Sequence, residues 1–441
     1  MSKRVCMGNE AIALGAARAG ASGVSGYPGT PSTEIIETLI REKIPGIEVQ
    51  WSTNEKTALE VAAGAAYSGI RSMVTMKQVG LNVAADPLMS LSYVGVEGGM
   101  VVVVADDPGP WSSQTEQDTR HFAKYANLPV FDPSSPEEAY EMVSYAFGLS
   151  EEFRLPVFLR PTTRVCHASA TVDLADVPAP KPASGFVKRS DWIIFPALSY
   201  RKHGELEQKQ KLISEKLGTL PFNRVIKGGR IGIAVSGISY LYLMEVIKEF
   251  GLDLTVFKVG TPYPIPAEPA EEFLSLVDRA MVIEELDPVI EEQLLLLSAG
   301  KKEILGKMTA HLPCNGEYGF ELIRDTVLKF AGVKGEDPLM AEIPVLPVRP
   351  PVLCAGCPHR ASFYAAKTAA KNFEKTVYCG DIGCYTLGNA APLNTVDTCL
   401  CMGAGITIAQ GIKLAEKETK CIAFIGDSTF FHTGIPGVIN A

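Results

Sequence analysis

The residues best able to do chemistry lie where apolar runs end in glycine. Ile422-Ala423-Phe424-Ile425 runs into Gly426-Asp427-Ser428. In parallel α/β sheets, ligands bind at the carboxyl ends of the strands. A glycine there lets backbone approach a diphosphate closely. An aspartate beside it is a hard oxygen ligand for the Mg²⁺ that would neutralise the diphosphate. The same residues also suit a plain helix start with Asp427 as the cap. Both readings stand on this segment. Two more turns of the kind lie upstream. Gly380-Asp381-Ile382-Gly383-Cys384 ends a strand, and Gly403-Ala404-Gly405 opens a helix. Three such turns close together point to one polyanion site, because helix N-termini and glycine-rich turns bind phosphate.

A fourth segment is Trp51-Ser52-Thr53-Asn54-Glu55-Lys56, followed by an Ala-rich helix through Gly64-Ala65-Ala66. A carboxylate at a helix start is favoured by the helix dipole. It also suits a buried carboxylate that meets a heteroaromatic ring nitrogen, with small residues allowing close packing of a partner domain. Both readings remain open.

The elements around these segments alternate strand and helix. Residues 33–44 place Ile35, Ile36, Leu39, Ile40 and Ile44 along one helical face. Residues 55–67 are helical. Val101–Val104 is a bare apolar run ending in Asp106-Asp107-Pro108-Gly109, the pattern of a buried parallel strand and a turn. Ser135-Pro136-Glu137-Glu138 opens a helix with Ser as cap and Pro at its first position. Residues 156–160 form another strand. Residues 1–170 therefore predict a parallel α/β domain. Residues 171–228 carry Pro178, Pro180 and Pro182 and then a charged stretch from Arg201 to Lys216, which predicts a linker with one exposed helix. Residues 229–340 predict a small doubly wound domain, with strands at 231–235, 254–259 and 279–284 and helices at 239–250, 270–276 and 288–297. Residues 341–441 predict a third α/β domain that stops inside a helix, so a truncated piece is expected.

Composition narrows the function classes. The 441 residues are 46% hydrophobic, 21% charged and only 8% aromatic. With 41 basic and 50 acidic residues the net charge is −9 and no basic stripe occurs, which argues against nucleic-acid binding. No apolar stretch reaches the roughly 18 residues of a membrane span. The N-terminus, Met1-Ser2-Lys3-Arg4-Val5-Cys6-Met7-Gly8, lacks the apolar region of a signal peptide. Ten scattered cysteines in a chain this long read as reduced thiols, which predicts a cytoplasmic protein.

Those segments, with Tyr27-Pro28-Gly29-Thr30-Pro31-Ser32 and Leu353-Cys354-Ala355-Gly356-Cys357-Pro358-His359-Arg360, carry a resemblance. The chain resembles the α (large) subunits of indolepyruvate ferredoxin oxidoreductases, within the thiamine-diphosphate-dependent 2-oxoacid:ferredoxin oxidoreductase superfamily. The resemblance covers essentially the whole chain. It implies three doubly wound parallel-sheet domains of the thiamine-diphosphate-binding, transketolase-like type, the third incomplete. The first would bind the pyrimidine, the second would be transketolase C-terminal-like and the third would bind the diphosphate. Glu55 resembles the glutamate that hydrogen-bonds the aminopyrimidine. Thr30 resembles a threonine near the substrate carbonyl or carboxylate. Asp427 resembles the first Mg²⁺ ligand. Gly380, Asp381, Gly403, Gly426 and Ser428 would line the cofactor.

Two departures from the family pattern matter. Its second Mg²⁺ ligand, usually Asn, lies further along than Ala441, and Asn440 comes too early to fill that role. Pyruvate-specific relatives place an Arg after the strand equivalent to Val101–Val104, where this chain has Asp106-Asp107. That favours an arylpyruvate over pyruvate. Cys354, Cys357 and Cys384 match the spacing of three ligands to a [4Fe–4S] cluster, which needs four thiolates as a rule. A buried structural pair or a ligand set lost in this branch is the other reading. No C-x₂-C-x₂-C run occurs. Cys6, Cys166 and Cys314 read as plain thiols, and His121 and His167 as structural residues.

The resemblance implies oxidative decarboxylation of arylpyruvates such as indolepyruvate to arylacetyl-CoA, with ferredoxin taking the electrons. It also implies coenzyme A as acyl acceptor, a separate β subunit and a hetero-oligomer. Other readings are a different 2-oxoacid:ferredoxin oxidoreductase, a thiamine-dependent decarboxylase, or a non-catalytic thiamine-diphosphate-binding subunit if residue 441 is the true C-terminus.

Overall fold

Val101–Val104 are fully buried, so they need cover on both faces, and the fold supplies it. The computed structural model describes residues 2–180, 182–333, 345–347 and 349–441. These fall into two compact units, Met1–Glu336 and Asp337–Ala441. The boundary expected at 340/341 lies outside the described residues.

The first unit begins with strands β1 (Ser2–Met7), β2 (Gly23–Gly26), β3 (Glu48–Trp51), β4 (Ser72–Lys77), β5 (Met100–Ala105), β6 (Val130–Phe131), β7 (Val157–Leu159) and β8 (Ser169–Leu174). Six of them form a parallel sheet in the order β3-β2-β4-β5-β7-β6, with β5 inside it. β1 and β8 pair separately as an antiparallel ribbon. The helix Glu55–Tyr67 buries Ala58, Leu59, Ala62, Ala63 and Ala66, and its Asn54 cap accepts a hydrogen bond from the Thr57 N–H at 2.8 Å. The helix Pro136–Phe153 starts as expected, on Ser135 with Pro at its first position.

The same unit continues with β9 (Arg224–Ile226), β10 (Ile231–Val235), β11 (Thr255–Lys258), β12 (Arg279–Ile283) and β13 (Glu303–Leu305), in the order β13-β12-β10-β11-β9. All pairs are parallel except β9 with β11. Side chains alternate between its faces, as strand geometry requires. Ile233, Val235, Met281 and Ile283 join one apolar cluster. Ala234, Val282 and Phe257 join another. Helices cover both faces, so the sheet is doubly wound.

Residues 171–228 are not the linker with an exposed helix that their charge suggests. The helix Pro196–Gly218 buries Leu198, Leu206, Ile213 and Leu217, and three of these enter the core of the first sheet. The apolar stripe is only one residue wide, so it is hidden among charged neighbours. Polar contacts reinforce it. Lys209 Nζ donates to the Phe153 carbonyl at 2.7 Å and Gln210 Nε2 to the Asn127 carbonyl at 2.8 Å.

The two sheets of the first unit meet through buried charge. Arg120, fully buried, donates from Nε to Asp118 at 2.9 Å, from Nη1 to Glu284 at 2.7 Å, and from Nη2 to the carbonyls of Glu285 and Asp287 at 2.8 Å. Arg160, at the end of β7, donates to Asp106 at 2.7 Å. Burial alone would raise the Asp118 carboxyl, but Arg120 and Arg160 outweigh it and hold it well below the usual carboxylate range. Burial pushes Glu285 up to about 7.

The second unit holds β14 (Thr376–Cys379) and β15 (Lys420–Ala423), which pair in parallel. Phe363 of the helix Pro358–Ala370 packs with Leu353 and Phe424. Among the described residues, no helix is long and apolar enough to cross a membrane.

The packing of the helix Pro196–Gly218 gives a test. Ile213→Ala should cost about 2–5 kcal/mol in denaturant unfolding, the range for a large-to-small core change. A loss within about 0.5 kcal/mol, the range of surface changes, would return that helix to the surface.

Candidate functional site

In the first sheet, β2 lies between β3 and β4, so the strand order reverses there. Such a reversal opens a crevice at the carboxyl ends of the strands. The segments around that crevice carry polar groups. After β2 comes the turn Tyr27–Ser32. After β3 comes Glu55, the first residue of its helix. β4 ends in Lys77, followed by Gln78.

Glu55 is 5% exposed. A Cβ placed on Gly80 would lie 2.4 Å from its Oε1, so the backbone of the helix Gln78–Val83 rests directly on this carboxylate. Only glycine permits that approach. The turn holding Thr30 is fixed by its own hydrogen bonds. The Gly29 N–H donates to Thr33 Oγ1 at 2.9 Å, Ser32 Oγ donates to the Gly29 carbonyl at 3.0 Å, and Asn9 Nδ2 donates to the Pro31 carbonyl at 2.6 Å. Thr30 itself is exposed. Burial lowers the pKa of the Lys77 ammonium, against the carboxylates of Asp107 and Glu55, which raise it.

The segment 106–118 folds over this end of the sheet. Asp106 and Asp107 do not face the crevice as free carboxylates. Asp106 is held by Arg160, by Thr119 Oγ1 at 2.7 Å and by the Thr119 N–H at 3.1 Å. Asp107 accepts from the N–H groups of Ser112 and Ser113, both at 2.9 Å, and from Thr163 Oγ1 at 2.6 Å. Burial would raise the Asp107 carboxyl, but these hydrogen bonds outweigh it and hold it below its ordinary value. Both acids therefore shape the loop. Gln78 links the loop to β4, accepting from the Asp107 N–H at 3.1 Å and donating to the Thr115 carbonyl at 2.5 Å. Ser112 Oγ donates to the Thr30 carbonyl at 3.1 Å. Trp111, one residue before it, is 70% exposed.

The second unit gathers the three glycine-rich turns, and Asp381 is the reason. Its Oδ1 accepts from the Gly403 N–H at 2.9 Å and the Ile382 N–H at 3.0 Å, and its Oδ2 accepts from the Gly426 N–H at 2.9 Å. Asp381 is buried, so its carboxylate is a strut between turns. This differs from the expected direct contact with a cofactor. A Cβ on Gly405 would lie 2.6 Å from the Gly380 carbonyl oxygen, so the helix Ala404–Ala415 starts hard against the end of β14. Gly403, at φ +80°, caps that helix in a left-handed conformation. Asp427 is exposed and opens a second helical run through Asp427–Thr429, a π-helical turn Phe430–Gly434 and Ile435–Asn440. Its Oδ1 accepts from the Ser428 N–H at 2.9 Å. Asp427 thus acts at a helix start while keeping a carboxylate accessible. Asn440 donates to Gln410 at 2.6 Å, away from any ligand role.

Among the described residues, the one group of three or more His, Cys, Asp or Glu with ligand atoms within 4.8 Å of one another is Asp118, His121 and Asp287. Arg120 occupies both oxygens of that Asp118. Cys357 Sγ lies 3.1 Å from His359 Nδ1, and Cys354 and Cys384 are exposed. Sequence reasoning missed Lys77 and the strut role of Asp381. A lysine closing a strand next to a reversal of strand order was the available signal for the first. The Gly-Asp-x-Gly pattern does not by itself announce the second.

Residues 14–187 match the family described as pyruvate flavodoxin/ferredoxin oxidoreductase, thiamine diP-bdg. Residues 381–441 match the thiamine pyrophosphate enzyme, C-terminal TPP binding domain. The chain is 42% identical to indolepyruvate oxidoreductase subunit IorA of Methanothermobacter thermautotrophicus, over 100% of this chain and 73% of that protein. It is 43% identical to the subunit of the same name from Thermococcus kodakarensis, over 99% of this chain and 72% of that protein. A solved 2-oxoglutarate:ferredoxin oxidoreductase from Magnetococcus marinus shares the fold, with a TM-score of 0.60 at 17% identity, over 75% of this chain and 65% of that one. With thiamine-diphosphate-binding regions matched in both units and this identity along its whole length, the chain belongs to the indolepyruvate oxidoreductase IorA family of thiamine-diphosphate 2-oxoacid oxidoreductases.

Proposed function

We propose that this chain is the thiamine-diphosphate-binding subunit of an enzyme that oxidatively decarboxylates arylpyruvates, indolepyruvate among them, to arylacetyl-CoA. Ferredoxin takes the electrons, and a smaller β subunit completes the hetero-oligomer. The observation that carries this reading is the buried Glu55 carboxylate, pressed under the Gly80 backbone where the strand order reverses. The end-to-end likeness to indolepyruvate oxidoreductase subunits supports the substrate class.

The residues present fit the cofactor. In the first unit, Glu55 is a carboxylate sheltered from water, suited to a hydrogen bond from a ring nitrogen or amine. In the second, Asp381 ties the helix starts at Gly403 and Gly426 together, and helix N-termini attract a diphosphate. Asp427 offers an accessible carboxylate to Mg²⁺. When bound, thiamine diphosphate supplies the electron sink that lets carbon dioxide leave a 2-oxoacid. This chain's residues supply the rest. Glu55 holds and polarises the pyrimidine end. The Thr30 turn presents its hydroxyl beside the substrate. Asp381 holds the diphosphate turns in register. The balanced reaction consumes one 2-oxoacid anion, one coenzyme A thiol and two oxidised ferredoxins. It yields one acyl-CoA, one carbon dioxide, one proton and two reduced ferredoxins.

Three outcomes are expected of the enzyme assembled with its β subunit. Glu55→Gln should keep the far-UV circular dichroism and lower turnover by about 10² or more, the usual contribution of an acid–base group. Near-normal turnover would remove Glu55 from the mechanism. Asp381→Asn trades an acceptor oxygen for a donor facing backbone N–H groups. It should weaken thiamine diphosphate binding by about tenfold or more in calorimetry, the effect of one charge-assisted hydrogen bond. Unchanged affinity would mean the turns hold without it. Lastly, burying an aryl ring contributes on the order of 1.5–3 kcal/mol, so kcat/KM should be higher for arylpyruvates than for pyruvate. Equal specificity constants would contradict the substrate assignment.

A further inference from the structure

We propose that Lys77 is the cation that binds the carboxylate of the 2-oxoacid substrate. This rests on the function proposed above and adds the residue that recognises the anion. The position comes first. Lys77 is the last residue of β4 and stands where the strand order reverses, with β2 on one side. On the other side it is in register with Ala105, the residue before Asp106. An arginine following β5 would present its charge at this same end of the sheet. Here the residues after β5 are Asp106 and Asp107, both consumed in shaping the loop, and the positive charge belongs to the neighbouring strand.

The stem of Lys77 is held in place. A Cβ on Gly29 would lie 3.0 Å from both Lys77 Cγ and Cδ, so the lysine stem lies along the backbone next to Thr30. That keeps the ammonium beside the turn assigned to the substrate. The head group is unusual for this protein. Among the described residues, Lys77 Nζ makes no hydrogen bond and no ion pair. Among the described residues, the other sheltered cations are engaged. Lys258 pairs with Glu138, and Lys307 donates to Tyr318 and to the Pro313 carbonyl. Arg120 and Arg160 lie in the buried network. A half-buried ammonium without a hydrogen-bonding partner is costly, and burial lowers its pKa although Asp107 and Glu55 favour the charged form. An arriving monoanion would supply the missing acceptor. Glu55, the carboxylate near it, is committed to the backbone-covered position under Gly80. The ligand chemistry is therefore a small carboxylate, attached to a carbonyl within reach of the Thr30 turn.

The test uses the enzyme complex with its β subunit, loaded with thiamine diphosphate and Mg²⁺, in Lys77→Met and Lys77→Arg forms. Lys77→Met should raise KM for indolepyruvate by about tenfold or more, the scale of one charge-assisted hydrogen bond. Its kcat and thiamine diphosphate affinity should stay near those of the unaltered enzyme. Lys77→Arg, which keeps the charge, should recover much of the loss. A binding readout separates this from the function proposed above. The unaltered complex should bind indole-3-propionate more tightly than the neutral indole-3-propionamide, and Lys77→Met should erase that preference. If arylpyruvates are not turned over but the preference exists and is erased, the carboxylate site stands and the reaction assignment falls. If KM and the preference are unchanged in Lys77→Met, or if thiamine diphosphate affinity falls instead, Lys77 does not bind the substrate carboxylate.

Discussion

The Arg120 guanidinium, buried among carboxylates and carbonyls, is the interaction on which the first unit depends. A charge so placed is stable only if every hydrogen bond it gives is taken. Asp118 and Glu284 and the carbonyls of Glu285 and Asp287 take them, and they come from both sheets. The sheets are thereby locked carboxyl end to carboxyl end. The lock also fixes the end of the segment 106–118, because Asp118 and Thr119 are bound to Arg120 and Asp106. That segment in turn touches Thr30 through Ser112 and β4 through Gln78. A structural ion network therefore positions the crevice without contributing a group to it.

Charge in this protein serves two purposes that sequence alone does not separate. Asp106, Asp107 and Asp381 all sit at the ends of strands, where ligands of parallel sheets bind. In the fold their oxygens are filled by Arg160, Thr119, Thr163 and backbone N–H groups. Glu55, Asp427 and Lys77 have the same kind of address and a different role. For Asp381 the role is set by donors that lie far away in sequence. The Gly403 and Gly426 N–H groups that fill Asp381 come from 22 and 45 residues further along.

Much of the architecture was legible in the sequence where local signals agree. The helix Glu55–Tyr67 is bounded as expected, because Asn54 caps it and small residues fill its buried face. Val101–Val104 and the Ser135-Pro136 helix start were equally plain. The three glycine-rich turns were expected to share one site, and Asp381 does bring them together. The helix Pro196–Gly218 was misjudged because four buried residues are spread through twenty-three mostly polar ones. Its packing is a tertiary property, as is the setting of Lys77 beside the Gly29 backbone.

The central claim is that decarboxylation is coupled to two one-electron transfers and to acyl transfer. The most direct measurement follows carboxyl-labelled indolepyruvate with the enzyme complex, thiamine diphosphate, Mg²⁺, coenzyme A and oxidised ferredoxin. Labelled carbon dioxide, indoleacetyl-CoA and reduced ferredoxin should appear in a ratio of one to one to two, as the electron balance of the proposed reaction requires. Release of carbon dioxide with indoleacetaldehyde and no reduced ferredoxin would contradict it and make the protein a non-oxidative decarboxylase.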